Sequence, residues 1–289
     1  PSEAERVVQR VTDLAATGFA LDDVEIDLGI HVLQVQRRWD DSVPQRLHRE
    51  DRLHGADRAE LSAEFQLPAE HPGLTWLADV KDHLGLEPEA LTAPWGELPD
   101  LSRADWSKDV VFPWNGTTSG VRVPDADWIA DDREGLAICD ATSAAFAMPL
   151  PYDKLDVVTF SFQKALGGEA GIGVMALSPR AVERLDGYRP ERPIPKVLRI
   201  ADGNGFDRSL ADGVAINTFS ILTIEDWIDA LGWAKSIGGL RELIRRTDAN
   251  YAALAEWVGR TEWIDFLPER PEIRSTTSVA DSMSAGNRT

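Results

Sequence analysis

An α/β fold, with helices flanking a mostly parallel sheet, is the fold class that this sequence predicts. From about residue 109 onward, short apolar runs rich in β-branched residues alternate with amphipathic segments, as in strands interleaved with helices. Gly, Pro or Asp bounds each apolar run, and polar residues follow several of them, as expected for strands buried on both faces. The predicted strands are Asp109–Phe112, Leu136–Cys139, Leu155–Phe160 and Gly173–Leu177.

Helices are predicted after the last of these strands. Ser178 suits an N-cap and Pro179 suits the first helical position, so a helix carried by Ala181–Leu185 is expected. Apolar residues at three- and four-residue spacing then predict two more helices, and a pair of glycines separates them. Those helices cover Ile224–Ile237 and Leu240–Val258, with Gly238 and Gly239 between them.

The composition excludes several classes of function. A hydrophobic fraction of 43% with ten tryptophans in 289 residues predicts a packed globular protein, although the net charge is −19. That negative charge repels phosphate backbones and anionic lipid, so neither nucleic acid nor a membrane is expected as a partner. An anionic substrate would therefore need a locally positive pocket.

Cysteine content and hydropathy indicate the compartment. Cys139 is the single cysteine, so an internal disulfide and a CxxC metal site are both excluded, and no metal is predicted. No apolar run reaches the roughly 18 residues that a membrane span needs, and the first residues lack the basic start and apolar stretch of a signal peptide. We therefore expect a cytoplasmic protein.

Lys164 is the first candidate for chemistry, because an apolar strand leads directly into it and a glycine-rich turn follows. A lysine at such a position must be neutralised, paired or used, since removing an ammonium group from water is costly. An imine with an aldehyde cofactor would meet that requirement. The alternative is a lysine that extends its amine to solvent from the edge of a strand, and this segment alone does not separate the two.

Asp140 is the second candidate, because it ends the strand that precedes the lysine-bearing one. Open α/β sheets bind ligands beyond the carboxyl ends of their parallel strands. A carboxylate there can keep a pyridine nitrogen protonated, so that the ring withdraws electrons. The alternative is an N-cap for a following helix, a common use of aspartate.

Taken together, three segments resemble the class V, fold-type I aminotransferases that use pyridoxal phosphate, and the phosphoserine aminotransferases in particular. The segments are ICDATSAAF, SFQKALGGEAG and the Asn217-Thr218 pair, and the resemblance runs from about Gly73 to Val279. The Gln-Lys pair is typical of phosphoserine aminotransferases, whereas cysteine desulfurases have a histidine before the lysine. The implied fold is a large cofactor-binding domain with a small C-terminal α+β domain.

The resemblance implies a role for each matching residue around the cofactor ring. Trp76 would stack on the ring, Thr117 would bond its phenolic oxygen, and Asp140 would pair with its pyridinium nitrogen. Taken singly, Trp76 could equally be an ordinary core residue and Thr117 a turn former.

The remaining matching residues concern the covalent bond, the phosphate and the assembly. Lys164 would hold the cofactor as a Schiff base and shuttle a proton, and Gln163 would bond the cofactor phosphate. Asn217 and Thr218 match the pair that reaches the phosphate from the other subunit, which implies a homodimer; taken singly, they could be a helix cap.

The activity implied is serine-biosynthetic transamination between O-phospho-L-serine and 2-oxoglutarate, giving 3-phosphohydroxypyruvate and L-glutamate. One alternative is another class V activity, of the alanine- or serine-glyoxylate type. The other is a folded, non-catalytic fragment of the family. O-Phosphoserine carries a phosphate and a carboxylate, and both need positively charged partners in the protein before they can leave water.

The resemblance is incomplete at both ends, which divides the chain into three predicted regions. Residues 1–72 are unmatched, residues 73–260 form the cofactor-binding domain, and residues 261–289 form a partial small domain that begins with a strand at Arg274–Val279. The family's substrate-binding arginine and histidine motifs are not recognisable, so impaired activity is expected unless residues such as Arg46, Arg49 or Arg274 supply the positive charge.

Overall fold

A computed structural model describes residues 30–33, 89–116, 118–189, 199–202, 205–211, 214 and 219–283 of the chain. The chain divides into two compact units, one made of residues 1–36 with 92–289 and the other of residues 37–91. All the described helices and strands lie in the first unit. The division into regions 1–72, 73–260 and 261–289 stays a prediction.

A five-stranded sheet organises the first unit. Its strands lie in the order β1-β5-β4-β3-β2. β2 is parallel to β3 and β3 to β4, whereas β5 runs antiparallel to both of its neighbours, β4 and β1. Four strands therefore point the same way, which confirms the predicted mostly parallel sheet. The strands are β1 (Ile30–Leu33), β2 (Val110–Pro113), β3 (Ala137–Asp140), β4 (Val157–Phe160) and β5 (Gly173–Leu177).

The four strands predicted from sequence are all present, with small changes of bounds. β5 has the predicted bounds, and β2, β3 and β4 each begin one or two residues later than expected. β3 is the most deeply buried, since Ala137 and Cys139 are fully covered. Its connection to β4, residues 141–156, consists of turns rather than a regular helix.

Among the described residues after β5, three α-helices are present, as predicted: α1 (Pro179–Gly187), α2 (Ile221–Ser236) and α3 (Gly239–Gly259). The side chain of Ser178 accepts the N–H of Ala181 at 3.1 Å, which confirms the N-cap. α2 begins earlier than expected because Ser220 caps it by accepting the N–H of Thr223. Between α2 and α3, Gly238 and Gly239 have φ angles of 119° and 71°, which few residues other than glycine adopt.

Smaller elements complete the described fold. β6 (Ala201–Asp202) pairs with β7 (Gly205–Phe206), and β8 (Ile264–Phe266) pairs with β9 (Asp281–Met283), both antiparallel. Short 3₁₀ helices cover Leu101–Arg103, Arg208–Leu210 and Pro271–Ile273.

The predicted strand at Arg274–Val279 is wrong. Only Arg274 forms a bridge, to Val121, and turns follow it. The hydroxyl of Ser275 accepts the N–H groups of Thr277 at 3.1 Å and Ser278 at 2.8 Å. Such local bonds between a hydroxyl and the backbone compete with a strand ladder, and here they form a turn instead.

Two clusters of buried residues form the core around the sheet. The first surrounds β2, β3 and β4 and contains Trp114, Ile129 and Met148. The second lies between β5, the segment after β4, and α2, and contains Phe162 and Trp227. Within the described part of the chain, no helix is both long and apolar enough to cross a membrane.

A buried carboxylate stabilises the amino-terminal edge of the sheet. Asp156, just before β4, accepts two hydrogen bonds from the guanidinium of Arg133 at 3.0 and 3.2 Å and one from the N–H of Ala137 at 2.8 Å. Ser178 and Arg180 also donate to it, at 3.1 and 3.4 Å. With this many donors, the buried charge is compensated.

Candidate functional site

The carboxyl ends of β2, β3 and β4 lie together at one edge of the sheet. Pro113 of β2 pairs with Asp140 of β3, and Asp140 pairs with Thr159 of β4. Beyond these pairs, the N–H of Trp114 donates to the carbonyl of Asp140 at 2.9 Å, and that of Ala141 donates to the carbonyl of Thr159 at 2.8 Å. The strand ends are therefore in register, at the position where open α/β sheets bind ligands.

Asp140 presents an exposed carboxylate at this edge. Its Oδ1 accepts the N–H of Thr142 at 2.9 Å, whereas no donor among the described residues contacts Oδ2. No described Lys or Arg forms an ion pair with it. Asp140 therefore caps a turn rather than a helix, and its negative charge remains available to a ligand.

Lys164 lies in the loop that follows β4 at the same edge. Its side chain is exposed, and no described carboxylate forms an ion pair with it. The N–H of Gly167 donates to the carbonyl of Lys164 at 3.0 Å, and Gly167 has a φ of 69°, which favours glycine at this turn.

Contrary to the expectation from sequence, Lys164 does not lie at the end of a buried strand. β4 ends at Phe160, and the lysine lies beyond it in water, so burial imposes no cost on its charge. Phe162 is the side chain that continues the buried face, with only 4% of its surface exposed. The free amine in a glycine-bounded loop is what remains compatible with imine formation.

Among the other predicted site residues, Gln163 lies beside Lys164 and is exposed. The structure thus brings three predicted residues to the carboxyl edge of the sheet. The roles of the whole set stay predictions, and the remaining four members, Trp76, Thr117, Asn217 and Thr218, lie outside the described residues.

A tryptophan that the sequence did not single out packs against the loop that carries Lys164. Trp227 of α2 is 1% exposed, and its ring stacks on that of Phe162, with centroids 4.0 Å apart and planes 19° apart. In the sequence, Trp227 is one of the regularly spaced apolar residues that predict α2, and this pattern cannot show which neighbour the ring contacts.

The segment after the last 3₁₀ helix also reaches the edge that carries Asp140. Thr277 donates its hydroxyl to the carbonyl of Ser143 at 2.7 Å, and the N–H of Ser275 donates to the carbonyl of Gly120 at 2.8 Å. Sequence spacing contains no sign of these contacts, because they join residues that are far apart in the chain.

Arg274, considered above as a source of positive charge, is engaged in this segment. Its guanidinium donates to the carbonyls of Pro268 at 2.9 Å and Glu269 at 2.8 Å. It also lies 4.3 Å from the centre of the Phe266 ring. These contacts give Arg274 a role in packing. Arg46 and Arg49 lie outside the described residues.

Cys139, next to Asp140, is not a nucleophile at neutral pH. Burial raises the pKa of its thiol to about 12, and the nearby charge of Asp140 adds to that effect. Among the described residues, no group of three or more His, Cys, Asp or Glu side chains could hold a metal ion. Of the side chains predicted to act in the site, the described part of this edge contains a carboxylate, an amide and an amine.

Sequence comparison relates this chain to proteins named phosphoserine aminotransferase, although it matches no family profile. The chain is 53% identical over 205 residues to a protein from Methanosarcina mazei named phosphoserine aminotransferase. The matched region covers 71% of this chain and 55% of that relative. The chain thus spans about half the length of the curated relatives that it matches.

Solved structures resemble this fold at low sequence identity. A phosphoserine aminotransferase from Cytophaga hutchinsonii matches with a TM-score of 0.69 at 17% identity, over 98% of this chain and 75% of that one. One from Trichomonas vaginalis, described as bound to pyridoxal phosphate, matches with a TM-score of 0.55 at 15% identity, over 95% of this chain and 70% of that one. These likenesses show the fold, which is that of fold-type I aminotransferases.

Proposed function

This chain belongs, over the 205 matched residues, to the phosphoserine aminotransferase family, and on that premise we propose that it serves the transamination of O-phospho-L-serine with 2-oxoglutarate. The products are 3-phosphohydroxypyruvate and L-glutamate, in serine biosynthesis. The 53% identity to the Methanosarcina mazei relative carries this proposal. The activity is proposed because the chain spans only 55% of that relative.

The side chains at the carboxyl edge suit pyridoxal phosphate as the cofactor. An exposed amine is required to bind an aldehyde, and Lys164 offers one that forms no ion pair with any described carboxylate. An accessible carboxylate is required to keep a proton on a pyridine nitrogen, and Asp140 offers one on the neighbouring strand. When bound, the cofactor supplies an electron-withdrawing ring.

Each residue then has a defined task in the proposed reaction. Lys164 binds the cofactor and moves the proton of the substrate α-carbon, and Asp140 holds the proton at the ring nitrogen. Gln163 binds the cofactor phosphate. The tasks of Trp76 and Thr117 at the ring, and of Asn217 and Thr218 at the phosphate of a second subunit, rest on the family resemblance.

The choice of amino donor tests the proposed function. The purified chain is mixed with pyridoxal phosphate and with O-phosphoserine, L-serine or L-alanine, and pyridoxamine phosphate is measured by chromatography. We expect the fastest conversion with O-phosphoserine and none in Lys164→Ala. Because impaired activity is predicted for this chain, the ratio between donors is the informative quantity. A preference for L-alanine or L-serine over O-phosphoserine would favour the alternative class V activity, and a folded chain without cofactor binding would favour the non-catalytic fragment.

A homodimer is part of the proposal, and exposed apolar side chains support it. Val214, Ile221 and Leu222, on either side of the Asn217-Thr218 pair, are 56%, 48% and 72% exposed. Exposed apolar residues that form one patch are typical of protein interfaces, and these three lie within nine residues of sequence.

Sedimentation velocity tests the homodimer. Leu222→Asp places a charge on the exposed apolar group without harming α2, since acidic residues are favourable in the first turn of a helix. We expect this variant to sediment as a monomer and the unchanged protein as a dimer. Tyr188→Ser, at a residue that directly follows α1 and is 51% exposed, is the matched control and should stay dimeric.

We also propose a cytoplasmic location, as expected for an enzyme that acts on small amino acids. The single thiol, Cys139, is free and buried, which suits a reducing compartment. Fractionation of cells that produce the chain should recover it with cytoplasmic markers.

A further inference from the structure

The loop that carries Lys164 is closed by its own backbone. We call residues 162–168 the lysine loop. The N–H of Gly168, its last residue, donates to the carbonyl of Phe162, its first residue, at 2.9 Å. Inside the loop, Gln163, Lys164 and Ala165 are all exposed. The position of the lysine therefore depends on how the two ends of the loop are held.

One side chain from a distant helix contacts both ends. The ring of Trp227 stacks on Phe162 at a centroid distance of 4.0 Å. It also lies against Gly168, because a Cβ atom at that glycine would be 3.1 Å from the Cδ1 and Nε1 atoms of the Trp227 ring. A side chain at residue 168 would crowd the tryptophan, so this close approach depends on glycine.

The contact is buried on both sides, since Trp227 and Phe162 are 1% and 4% exposed. Trp227 lies in α2 among the buried residues Ile224, Ile228 and Leu231. Phe162 also meets the ring of Phe146, with centroids 5.5 Å apart. Aromatic pairs with offset or tilted rings contribute beyond the area that they bury, so the start of the lysine loop is firmly packed.

Trp227 also lacks a hydrogen-bond partner at its indole nitrogen among the described residues. A buried indole N–H usually has a partner, and leaving it without one costs stability. A phenylalanine would fill much of the same space without that cost. The contact of the ring with Phe162 and Gly168, rather than its N–H group, is therefore what the residue provides.

We propose that Trp227 is a positioning residue for Lys164, which it acts on by holding Phe162 and Gly168 at the two ends of the lysine loop. This inference deepens the proposed function and rests on it, since it concerns the lysine that would bind the cofactor. Trp227 does not touch the amine itself. Its effect is transmitted through the backbone of the loop.

Two measurements on the cofactor-free protein test this role. Hydrogen exchange followed by mass spectrometry reports the opening of residues 162–168, and competitive acetylation over a range of pH reports the reactivity of the Lys164 amine relative to that of Lys235. The variants are Trp227→Leu, which removes the stacked ring, and Trp227→Phe, which keeps an aromatic ring. Leu243→Ala is the control, since Leu243 is buried in α3 and lies outside the cluster that contains Trp227.

In Trp227→Leu we expect exchange in the lysine loop to become faster by about tenfold or more, with a changed rate of Lys164 labelling relative to that of Lys235. Trp227→Phe should restore both toward the unchanged protein. Leu243→Ala should lower the thermal midpoint and leave the lysine loop unaffected. Equal effects of Trp227→Leu and Leu243→Ala on the loop, or no effect of Trp227→Leu, would overturn the proposal.

A third measurement separates this inference from the proposed function. Borohydride reduction in the presence of pyridoxal phosphate, followed by peptide mapping, reports whether Lys164 forms an adduct. Labelling of Lys164 in the unchanged protein that falls in Trp227→Leu and returns in Trp227→Phe supports the positioning role. Labelling that is the same in all three proteins overturns it. Absence of labelling in the unchanged protein contradicts the proposed function. The hydrogen-exchange data alone then test whether Trp227 positions the lysine loop.

Discussion

Asp140 on β3 pairs in parallel register with Thr159 on β4, which places the candidate carboxylate one strand away from the chain that leads into Lys164. The backbone continues this pairing beyond the strands, through the bond from Ala141 to Thr159. The parallel direction of β3 and β4 is the reason that both groups emerge at one edge.

Lys164→Ala should abolish the visible absorption that appears when pyridoxal phosphate binds the protein. The reason is that the exposed amine of Lys164 is the group that we propose reacts with the aldehyde. Absorption spectra and peptide mapping after borohydride reduction check this expectation. Lys235→Ala, which removes an exposed lysine from the last turn of α2, is the control and should keep the absorption. Reduction that labels a lysine other than Lys164 would contradict the assignment.

Asp140→Asn should keep cofactor binding and slow the exchange of the substrate α-hydrogen by about a hundredfold or more. An amide oxygen can still accept the N–H of Thr142, so the turn remains, but a neutral amide cannot keep the ring nitrogen protonated. Equilibrium binding of pyridoxal phosphate and deuterium exchange into the amino donor measure the two effects. Equal loss of both would indicate a structural role for Asp140.

Asp156→Ala should lower the free energy of unfolding by about 3–5 kcal/mol, because it leaves the buried guanidinium of Arg133 without its carboxylate. The side chains of Arg133 and Asp156 are only 8% and 4% exposed. Denaturant titration followed by circular dichroism measures the change.

Asp131→Ala is the matched control for this experiment, since Asp131 pairs with Lys154 but is 84% exposed. Loss of that surface pair should change the free energy of unfolding by less than about 1 kcal/mol. A similar decrease in the free energy of unfolding in the two variants would mean that burial does not determine how much the Arg133–Asp156 pair stabilises the protein.

Glu242→Gln should change how stability depends on pH in the acid range. Hydrogen bonds from Arg245 and then Arg246 lower the pKa of Glu242 from an ordinary 4.5 to about 2. Because the folded pKa is below the unfolded one, the contribution of the carboxylate is complete above about pH 4.5 and is lost as the pH falls toward 2. Thermal midpoints of the variant and the unchanged protein should differ at neutral pH and converge over that range.

Salt provides the check on this mechanism. Glu242 and its arginines lie near the surface of α3, so the difference in thermal midpoint at neutral pH should shrink as salt is added. A difference that persists at high salt would point to packing of the side chain rather than to its charge.

The strands and helices could be predicted from sequence because their signals are local. The glycine before β5, the serine and proline at the start of α1, and the two glycines after α2 each mark an element boundary through the backbone conformations they allow. Local signals predicted a strand at Arg274–Val279, and that prediction is wrong, because hydrogen bonds to the hydroxyl of Ser275 form a turn there. Composition and spacing contain no information that distinguishes that outcome.

For the site, the sequence by itself determined which residue types follow β3 and β4 and the family that they resemble. Only the tertiary structure decided that Lys164 is exposed while Phe162 takes the buried position, and that β5 runs against β4. It also decided that Arg274 binds backbone carbonyls and that Trp227 packs against both ends of the lysine loop. The physical reason is that strand direction, burial and side-chain packing depend on contacts between residues far apart in the chain, whereas capping and backbone preference depend on immediate neighbours.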